Sequence, residues 1–461
     1  MSEKKITTMN GNDMYALCKE LFPINRSLTG EGVRQTLAIL KRENPELEIR
    51  EVPCGTKVFD WTIPKEWNCT DGYIITPDGE KIADYKVSNL HVLGYSTPVD
   101  RDFTLEELKE HLYTLEDQPD VIPYVTSYYK ERFGWAITHK QLKSLKEGTY
   151  HGVIKSSLTD GVLNYADCII KGESSEEIFF STYVCHPSMA NNECSGPVLA
   201  SALIKYVKSL KRRKYSYRFV FAPETIGAIT YLATPVDCMQ IPDPGKAFYA
   251  GGNIFSTVRY MQRYVKAGFN LSCVGDDRDY SIIHSRYGDT LADRVLTNIL
   301  NSHTGGKFSD YSYLRRGSDE RQYQAPGIDI PLVGFCRSKY HDFPEYHTSA
   351  DNMDLVSPEG FQGSYDVMAA CIRALEGNGK YVLTCFCEPQ LGKRGLVPTI
   401  SSKETYQQTL HLKDLIAYSD GRNDLMGISE IIGAPMDEVI DLADKLIKAG
   451  LLEKYDERTD I

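Results

Sequence analysis

The spacing of apolar residues differs between parts of the chain, and the changes in spacing divide the sequence into segments. Near the amino-terminal end they recur every three or four residues, as in Met14–Phe22 and Gly30–Lys41. This spacing places them on one face of a helix, so two helices are predicted, the first capped by Asp13. From about 52 to 150, short alternating runs lie between turn signals such as Pro77–Gly79, which predicts a small β-rich module.

Residues 150–380 alternate between apolar strand candidates and helical patterns. The strand candidates are 152–154, 178–180, 218–222, 269–274 and 331–335, and the helix candidates are 197–210, 225–233, 289–303 and 358–377. This alternation predicts an α/β fold with a mostly parallel central sheet and helices on both faces. Ligands of such sheets collect at the carboxyl ends of the strands. His186, Glu224 and Asp276 each follow a strand candidate, so they are candidates for one site.

The last segment, residues 395–461, is predicted to form a separate winged-helix domain. Three short helices precede a strand that begins near Leu451; the helices are predicted at 410–417, 426–432 and 436–449. Residues 401–461 contain 7 Lys and Arg against 13 Asp and Glu. A phosphate-binding surface needs the opposite sign, so packing or contact with a protein partner or a second copy is favoured over nucleic-acid binding.

Composition narrows the class of protein further. With 461 residues, 42% hydrophobic and 25% charged, the chain is typical of a globular protein of two to four domains. Neither a bilayer-spanning apolar run nor a secretory signal is recognised, and the twelve cysteines are scattered. We therefore expect a cytoplasmic protein without membrane association. The net charge of −11 argues against general nucleic-acid binding.

Two histidines are candidate metal ligands. Zinc prefers imidazole nitrogens and carboxylate oxygens, with an open position for water. His186 leaves a strand candidate just before Ser195–Gly196 opens a helix, although a single histidine after a strand can be purely structural. His347 lies in the polar segment 343–351, where Asp351 could orient its ring; the alternative is an exposed loop histidine.

Several acidic residues are candidates for the remaining chemistry. Glu224, in a strand-to-helix turn, could be a general base or only a helix cap. Asp276 could bind metal or be a solvated loop acid beside Asp277. The segment Asp319, Glu320 and Arg321 could hold a terminus of the substrate or form a simple ion pair.

Four motifs follow one another along the chain, namely Cys185–Gly196, Pro223–Gly227, Ser318–Arg321 and Tyr346–Asp351. In sequence and order they resemble those of the zinc aminopeptidase superfamily, which also contains glutamate carboxypeptidase and glutaminyl cyclase. More closely, the whole chain resembles a bacterial aminopeptidase-like family, also through Leu21–Gly30 and Thr126–Arg132. The resemblance implies three domains, namely a zinc-aminopeptidase-like domain at 1–50 and 150–390, an inserted β-rich domain at 51–149, and a winged helix at 395–461.

The resemblance also implies roles for individual residues. His186 matches the first metal ligand of the superfamily, His347 the last, and Glu224 the glutamate that activates the attacking water. Three metal-binding carboxylates of the superfamily fall on non-acidic residues here; these positions are Asn192, Thr225 and Ser272. A single zinc ion is therefore expected, with Glu193 or Asp276 beside the two histidines.

The implied activity is hydrolysis of a small peptide or amide by a zinc-dependent aminopeptidase-like enzyme. Two alternatives stay open. The first is a binding or regulatory protein that has lost activity through Asn192 and Thr225. The second is an amidase or deacylase that acts on a modified sugar, since members of the family often lie near polysaccharide-biosynthesis genes.

Overall fold

A computed structural model of the protein describes residues 8–234, 256–397 and 402–455. They form two compact units: one comprises the residues before Asp293 together with Ser309–Tyr365, and the other comprises Asp293–Phe308 and the residues from Asp366 onward. The predicted domain ranges stay predictions. Of the predicted winged-helix range, residues 398–401 and 456–461 lie outside the described part of the chain.

Most predicted helices lie where the apolar spacing placed them. The described helices are α1 (Gly11–Leu21), α2 (Glu31–Glu43), α3 (Leu105–Lys109), α4 (His139–Ser144), α5 (Ser195–Ser209), α6 (Ile226–Ala233), α7 (Ser256–Tyr264), α8 (Leu291–Thr304), α9 (Glu320–Tyr323), α10 (Pro358–Gly377), α11 (Lys403–Tyr418), α12 (Leu425–Ile432) and α13 (Met436–Lys448). The predicted cap of α1 was wrong. Asn10 caps this helix by accepting from the backbone nitrogens of Asn12 and Asp13, and the Asp13 carboxylate accepts from the Asn10 nitrogen in return.

The strands of the first unit form a large central sheet, a smaller antiparallel sheet of four strands and two separate pairs of short strands. The described strands are β1 (Glu48–Pro53), β2 (Lys57–Val58), β3 (Trp61–Thr62), β4 (Glu66–Ile75), β5 (Lys81–Ile82), β6 (Val99–Thr104), β7 (Leu112–Tyr113), β8 (Trp135–Ala136), β9 (Thr149–Thr159), β10 (Val162–Ile170), β11 (Glu177–Tyr183), β12 (Ser216–Ala222), β13 (Val265–Leu271), β14 (Ser281–Ile283), β15 (Ser309–Tyr311), β16 (Leu332–Cys336), β17 (Lys380–Leu383), β18 (Asp420–Asp424) and β19 (Leu452–Lys454).

The central sheet has the order β1-β10-β12-β11-β13-β16-β14-β15. Its four middle strands, β12, β11, β13 and β16, are parallel, which confirms the predicted fold class. The candidate strand at 152–154 lies elsewhere, because it forms part of β9 in the sheet β5-β4-β9-β6. Its apolar pattern predicted a strand but carried no information about the partner strand.

The smaller sheet shares its apolar core with the central sheet. Buried Phe103 and Trp135 belong to the same cluster of apolar side chains as Phe179 of β11 and Val220 of β12. Burial of such large side chains stabilises each by roughly 1.5–3 kcal/mol. The β-rich segment is therefore packed against the strands that carry the site.

In the second unit, β17 pairs with both β18 and β19 in an antiparallel sheet. Helices α11, α12 and α13 confirm the three predicted helices, although α11 begins seven residues before the predicted start. The buried face of α13 includes Val439 and Leu446, as expected from its apolar spacing. No helix in the described part of the chain is long and apolar enough to cross a bilayer.

An ion pair between Arg34 of α2 and Glu66 of β4 contributes pH-dependent stability. The guanidinium lies 2.7 Å from one carboxylate oxygen and donates to the other at 3.1 Å. Mainly because of this hydrogen bond, the pKa of Glu66 falls to about 2. A depressed folded-state pKa contributes stability above the unfolded-state value, about 4.3, and this contribution is lost as the pH falls toward the folded value.

We expect Glu66→Gln to lower the free energy of unfolding at pH 7 by ~2 kcal/mol, a figure reduced for the partial exposure of Arg34. In urea titrations, the difference from the wild type should shrink as the pH falls from 5 to 3. Glu20→Gln is the matched control, because the Glu20–Arg42 pair has similar geometry, at 2.7 Å, but is exposed. An equal loss in the two variants would contradict the role of burial.

Candidate active site

The register of two parallel strands brings His186 and Glu224 together. Tyr183 at the end of β11 pairs with Ala222 at the end of β12, and the nitrogen of Val184 donates to the oxygen of Ala222 at 3.1 Å. Both chains therefore leave the same edge of the sheet. His186 Nε2 lies 3.6 Å from Glu224 Oε2, and the His186 side chain is almost fully buried.

Glu193 and Arg26 hold His186 from behind. Glu193 Oε2 accepts hydrogen bonds from the backbone nitrogen and Nδ1 of His186, each at 3.0 Å. Arg26 Nε donates to the His186 carbonyl at 2.9 Å and lies 3.0 Å from Glu193 Oε1. Burial lowers the pKa of His186, but the hydrogen bond and charge of Glu193 outweigh it, so the pKa is raised. Because Nδ1 is engaged, Nε2 is the nitrogen that faces Glu224.

His347 presents a second imidazole to this space. Its ring lies 5.4 Å from that of His186, centroid to centroid, and stacks on Tyr346 at 3.8 Å. Its buried Nε2 has no hydrogen-bond partner among the described residues. Burial, then the charge of His186, holds the pKa of His347 well below its usual range. His347 is therefore neutral near pH 7 and able to bind a metal ion.

The β-rich segment contributes a wall that the sequence did not predict. The nitrogen of Tyr124 donates to the His347 oxygen at 2.8 Å, and the Tyr124 ring contacts both imidazoles edge-on, at 5.4 Å from His186 and 5.0 Å from His347. Its hydroxyl bonds to that of Tyr128. The available signal was the family motif Thr126–Arg132, which includes Tyr128.

Asn192, which the resemblance aligns with a bridging aspartate, contacts other groups. Its Nδ2 donates to the Tyr183 hydroxyl at 2.8 Å, and its backbone nitrogen donates to Asp351 at 2.9 Å. Its Oδ1 is buried without a hydrogen-bond partner in the described part of the chain. Burial raises the pKa of Asp351 to about 7. Asp351 therefore stabilises the turn Ala190–Cys194 and does not orient the His347 ring as predicted. This turn is π-helical, a conformation that is frequent at functional sites.

Asp276 makes its contacts away from His186. One carboxylate oxygen accepts from the side chain of Asn191 at 2.8 Å and from the nitrogen of Ser338 at 3.0 Å. The other accepts from the Ser338 hydroxyl at 2.8 Å and from the nitrogen of Arg278 at 3.0 Å. Asp276 therefore joins the loops that follow β13 and β16, and the structure does not bring it to Glu224.

Glu224 does not cap the helix that follows it. Helix α6 begins at Ile226, and its first turn has no side-chain cap. Thr225 between them has a φ of 65°, which is strained for a β-branched residue and of a kind that clusters at functional sites. Burial raises the pKa of Glu224 against the charges of His186 and Arg321.

Asp319 and Arg321 hold this strained turn. Thr225 donates its N–H to Asp319 at 2.7 Å, and Arg321 donates to the Thr225 hydroxyl at 2.9 Å. Arg321 also lies 3.8 Å from Glu224 Oε1. Burial, then the charge of Glu224, raises the pKa of Asp319 well above its usual range.

Glu320 is engaged elsewhere. Its carboxylate accepts from Asn270 at 3.0 Å and from the Tyr340 hydroxyl. Of the predicted substrate-binding triad, Arg321 is therefore the residue that reaches Glu224, with Asp319 supporting the turn.

The donor set suits one metal ion better than two. Among the described residues, Cys185, His186 and Glu224 are the group of potential ligands whose atoms all lie within 4.8 Å of one another. Burial raises the pKa of the Cys185 thiol well above its usual range, which disfavours the thiolate needed for binding. The Nε2 atoms of His186 and His347 are donors that zinc accepts, and the Glu224 carboxylate lies 3.6 Å from the first of them. A second ion would lack the bridging carboxylate, because Asn192 is neutral.

Comparisons with known proteins identify the family of the chain. The profile of the family described as "Domain of unknown function (DUF4910)" matches residues 15–248 and 254–378, and a winged helix-turn-helix profile matches 380–454. A Clostridium acetobutylicum protein is 41% identical over 445 residues, which are 96% of each chain. It is named "Putative polysaccharide biosynthesis protein with aminopeptidase-like domain".

Solved structures show the same fold. A crystal structure from Clostridium acetobutylicum, titled as a "putative peptidase", has 39% identity, covers 96% of both chains and superposes with a TM-score of 0.85. A Bacillus subtilis zinc aminopeptidase is 12% identical and covers 79% of this chain and 95% of its own, with a TM-score of 0.54. The chain therefore belongs to the DUF4910 family, with the fold of the zinc aminopeptidases and a winged helix-turn-helix at its carboxyl-terminal end.

Proposed function

We propose that the protein is a zinc-dependent, aminopeptidase-like hydrolase that cleaves a peptide or amide bond. One observation carries the proposal: a carboxylate, Glu224 Oε2, faces His186 Nε2 at 3.6 Å, close to the ring of His347, whose Nε2 has no hydrogen-bond partner among the described residues. Carboxylate and imidazoles at strand ends are the arrangement that metal-assisted hydrolysis needs. The fold and family of the chain support the same class of reaction.

His186 and His347 are the residues that would hold the ion. Bound there, zinc would act as a Lewis acid on the scissile carbonyl. Glu193 and Arg26 fix the tautomer and direction of His186, as partners of metal-bound imidazoles commonly do. This differs from the sequence hypothesis, in which Glu193 or Asp276 bound the ion directly, because both carboxylates are engaged with other donors.

Glu224 is the group that moves protons in this proposal. Its carboxylate accepts the proton of the attacking water and passes it to the nitrogen of the leaving amine. Partial burial raises its pKa, and 23% of its side chain stays exposed, so substrate can reach it. Arg321, at 3.8 Å, balances its charge, and the Tyr124 ring covers His186 edge-on.

A second candidate is an amidase or deacylase that acts on a modified sugar. The name of the Clostridium acetobutylicum relative, which places that protein in polysaccharide biosynthesis, favours it. The chemistry at Glu224 would be the same, and only the substrate differs. The cytoplasmic location and a partner for the winged helix stay predictions.

Zinc titration of metal-free protein tests the site directly. We expect about one equivalent of zinc to bind the wild type, and His347→Ala to weaken binding at least about 10-fold, because an imidazole ligand is lost. Isothermal titration calorimetry would measure both. His341→Ala is the control, since the ring of His341 also contacts Tyr346 but lies outside the site. No binding by the wild type would instead support a non-catalytic binding protein.

Asn192→Asp tests the assignment of the missing bridging ligand. The buried Oδ1 of Asn192 lacks a hydrogen-bond partner within the described ranges, and a carboxylate there would add a negative charge beside Tyr183, whose ring contacts that of His186. We expect zinc affinity to rise about 10-fold or more, or a second equivalent to bind. Asn191→Asp is the matched control, because Asn191 contacts Asp276 instead. Unchanged affinity in Asn192→Asp would contradict the assignment.

A further inference from the structure

A groove lies beside the segment that carries Arg321. It has a volume of about 580 Å³ and is lined by residues 284–288, which follow β14, and by five residues around the end of β15, namely Asp310, Ser312, Tyr313, Leu314 and Arg316. Two of its side chains are unusually exposed: Tyr287 retains 76% of its surface and Leu314 82%. The groove therefore combines apolar surface with charged side chains, as specific ligand sites commonly do.

Arginines dominate the charge of this groove. The guanidinium of Arg286 lies 4.8 Å from the Tyr287 ring centre and is paired with Asp329. The guanidinium of Arg316 lies 4.4 Å from the Tyr313 ring centre and donates to the Tyr313 carbonyl at 3.3 Å. In the described part of the chain, no carboxylate pairs with Arg316. The groove thus holds an arginine that is stacked and preoriented but has no anion.

Two acidic residues lie in or beside the groove. Asp310 lies 3.0 Å from His284, and Asp342 pairs with Arg315 at 2.9 Å. Both carboxylates therefore face side chains other than Arg316. Among the described residues, Arg316 is thus an arginine without a carboxylate partner, in a chain whose net charge is −11.

One short segment joins the groove to the Glu224 site. Arg316 lines the groove, and Arg321 lies 3.8 Å from Glu224 Oε1. Only Gly317–Glu320 separate these two arginines along the chain.

We propose that this groove binds an anionic sugar, a saccharide unit with a phosphate or carboxylate group. Arg316 would bind the anion through its planar, forked donors, and the exposed Tyr287 and Leu314 would contact the ring face. The alternation of apolar and polar groups suits a ring with C–H faces and hydroxyl edges. This inference rests on the proposed function, because it specifies the substrate that the Glu224 site would cleave. It favours an amide bond attached to a sugar over a peptide bond.

Calorimetry on the full-length chain tests binding without requiring activity. The probes are glucose 6-phosphate, glucuronate, glucose and inorganic phosphate; the first two distinguish a phosphate from a carboxylate as the preferred anion. We expect at least one of the two anionic sugars to bind, and glucose and inorganic phosphate to bind more weakly. Arg316→Gln should reduce the affinity for the anionic sugar about 10-fold or more. Tyr287→Ala should also weaken binding, because the ring contact is lost.

The controls separate this inference from the proposed function. Arg212→Gln, at an exposed arginine paired with Glu173, should bind the probes like the wild type. Glu224→Gln should also bind them normally, so binding can succeed even if hydrolysis fails. The inference is overturned if neither anionic sugar binds, if inorganic phosphate binds as tightly, or if Arg316→Gln changes nothing. Tighter binding of the acidic dipeptide N-acetyl-Glu-Glu would assign the groove to peptides and overturn it as well.

Discussion

Glu224→Gln is expected to lower kcat by about 1000-fold on a substrate that the wild type hydrolyses, because proton transfer by a positioned side chain contributes roughly 100- to 10,000-fold. Glutamine keeps the size of the side chain and its contact with His186, but it cannot accept the proton of the attacking water. KM and zinc affinity should change only a few-fold. Steady-state kinetics and zinc titration of the same preparation would measure all three quantities.

Two comparisons make the Glu224 result specific. Glu176→Gln removes a carboxylate that pairs with Lys266 at the opposite end of β11 and should leave kcat unchanged. Asp319→Asn keeps an oxygen that can accept from the nitrogen of Thr225, so its effect should be much smaller than that of Glu224→Gln. Full activity of Glu224→Gln would show that another group takes the proton.

Arg26→Met is expected to cause the largest loss of stability, about 3–5 kcal/mol, because it leaves the buried Glu193 carboxylate without its counter-ion. Arg26 is 1% exposed and also donates to the Leu21 carbonyl at 2.7 Å. Its removal also takes away the hydrogen bond to the His186 carbonyl, besides leaving the Glu193 charge unpaired. Urea unfolding followed by circular dichroism would measure the loss.

The double variant Arg26→Met/Glu193→Gln separates charge from packing. Removing both charges should destabilise less than the sum of the single variants, since no unpaired ion stays buried. Arg42→Met, at an exposed arginine, is the control and should cost less than about 1 kcal/mol. Additive losses in the double variant would mean that Arg26 acts through its carbonyl contacts alone.

The fold was largely predictable from local patterns. Helices α5, α6, α8 and α10 lie within a few residues of their predicted positions, because apolar spacing over two or more turns indicates the buried face directly. Strand β10 was missed, although it joins β1 to the central sheet. The strand at 152–154 was predicted in the wrong sheet, since pairing depends on residues far away in the sequence.

The candidate site was predictable in part. The contact of His186 with Glu224 was predictable, because the carboxyl ends of parallel strands lie at one edge of a sheet and the order of the strands along the chain suffices to apply this rule. The same rule does not predict that Asp276 lies apart from Glu224. Although Asp276 also leaves a strand end, contacts from Asn191 and Ser338 direct its carboxylate into another network.

By itself, the sequence determined the class of fold, the winged helix, and the order of the residues able to bind metal. These properties depend on periodicity and motif spacing, which are local. Only the tertiary structure decided which atoms face one another: Glu193 lies behind His186, and Tyr124 from the β-rich segment lies against both imidazoles. The physical reason is that buried polar groups must find partners in three dimensions, and Arg26 is 160 residues from the histidine that it supports.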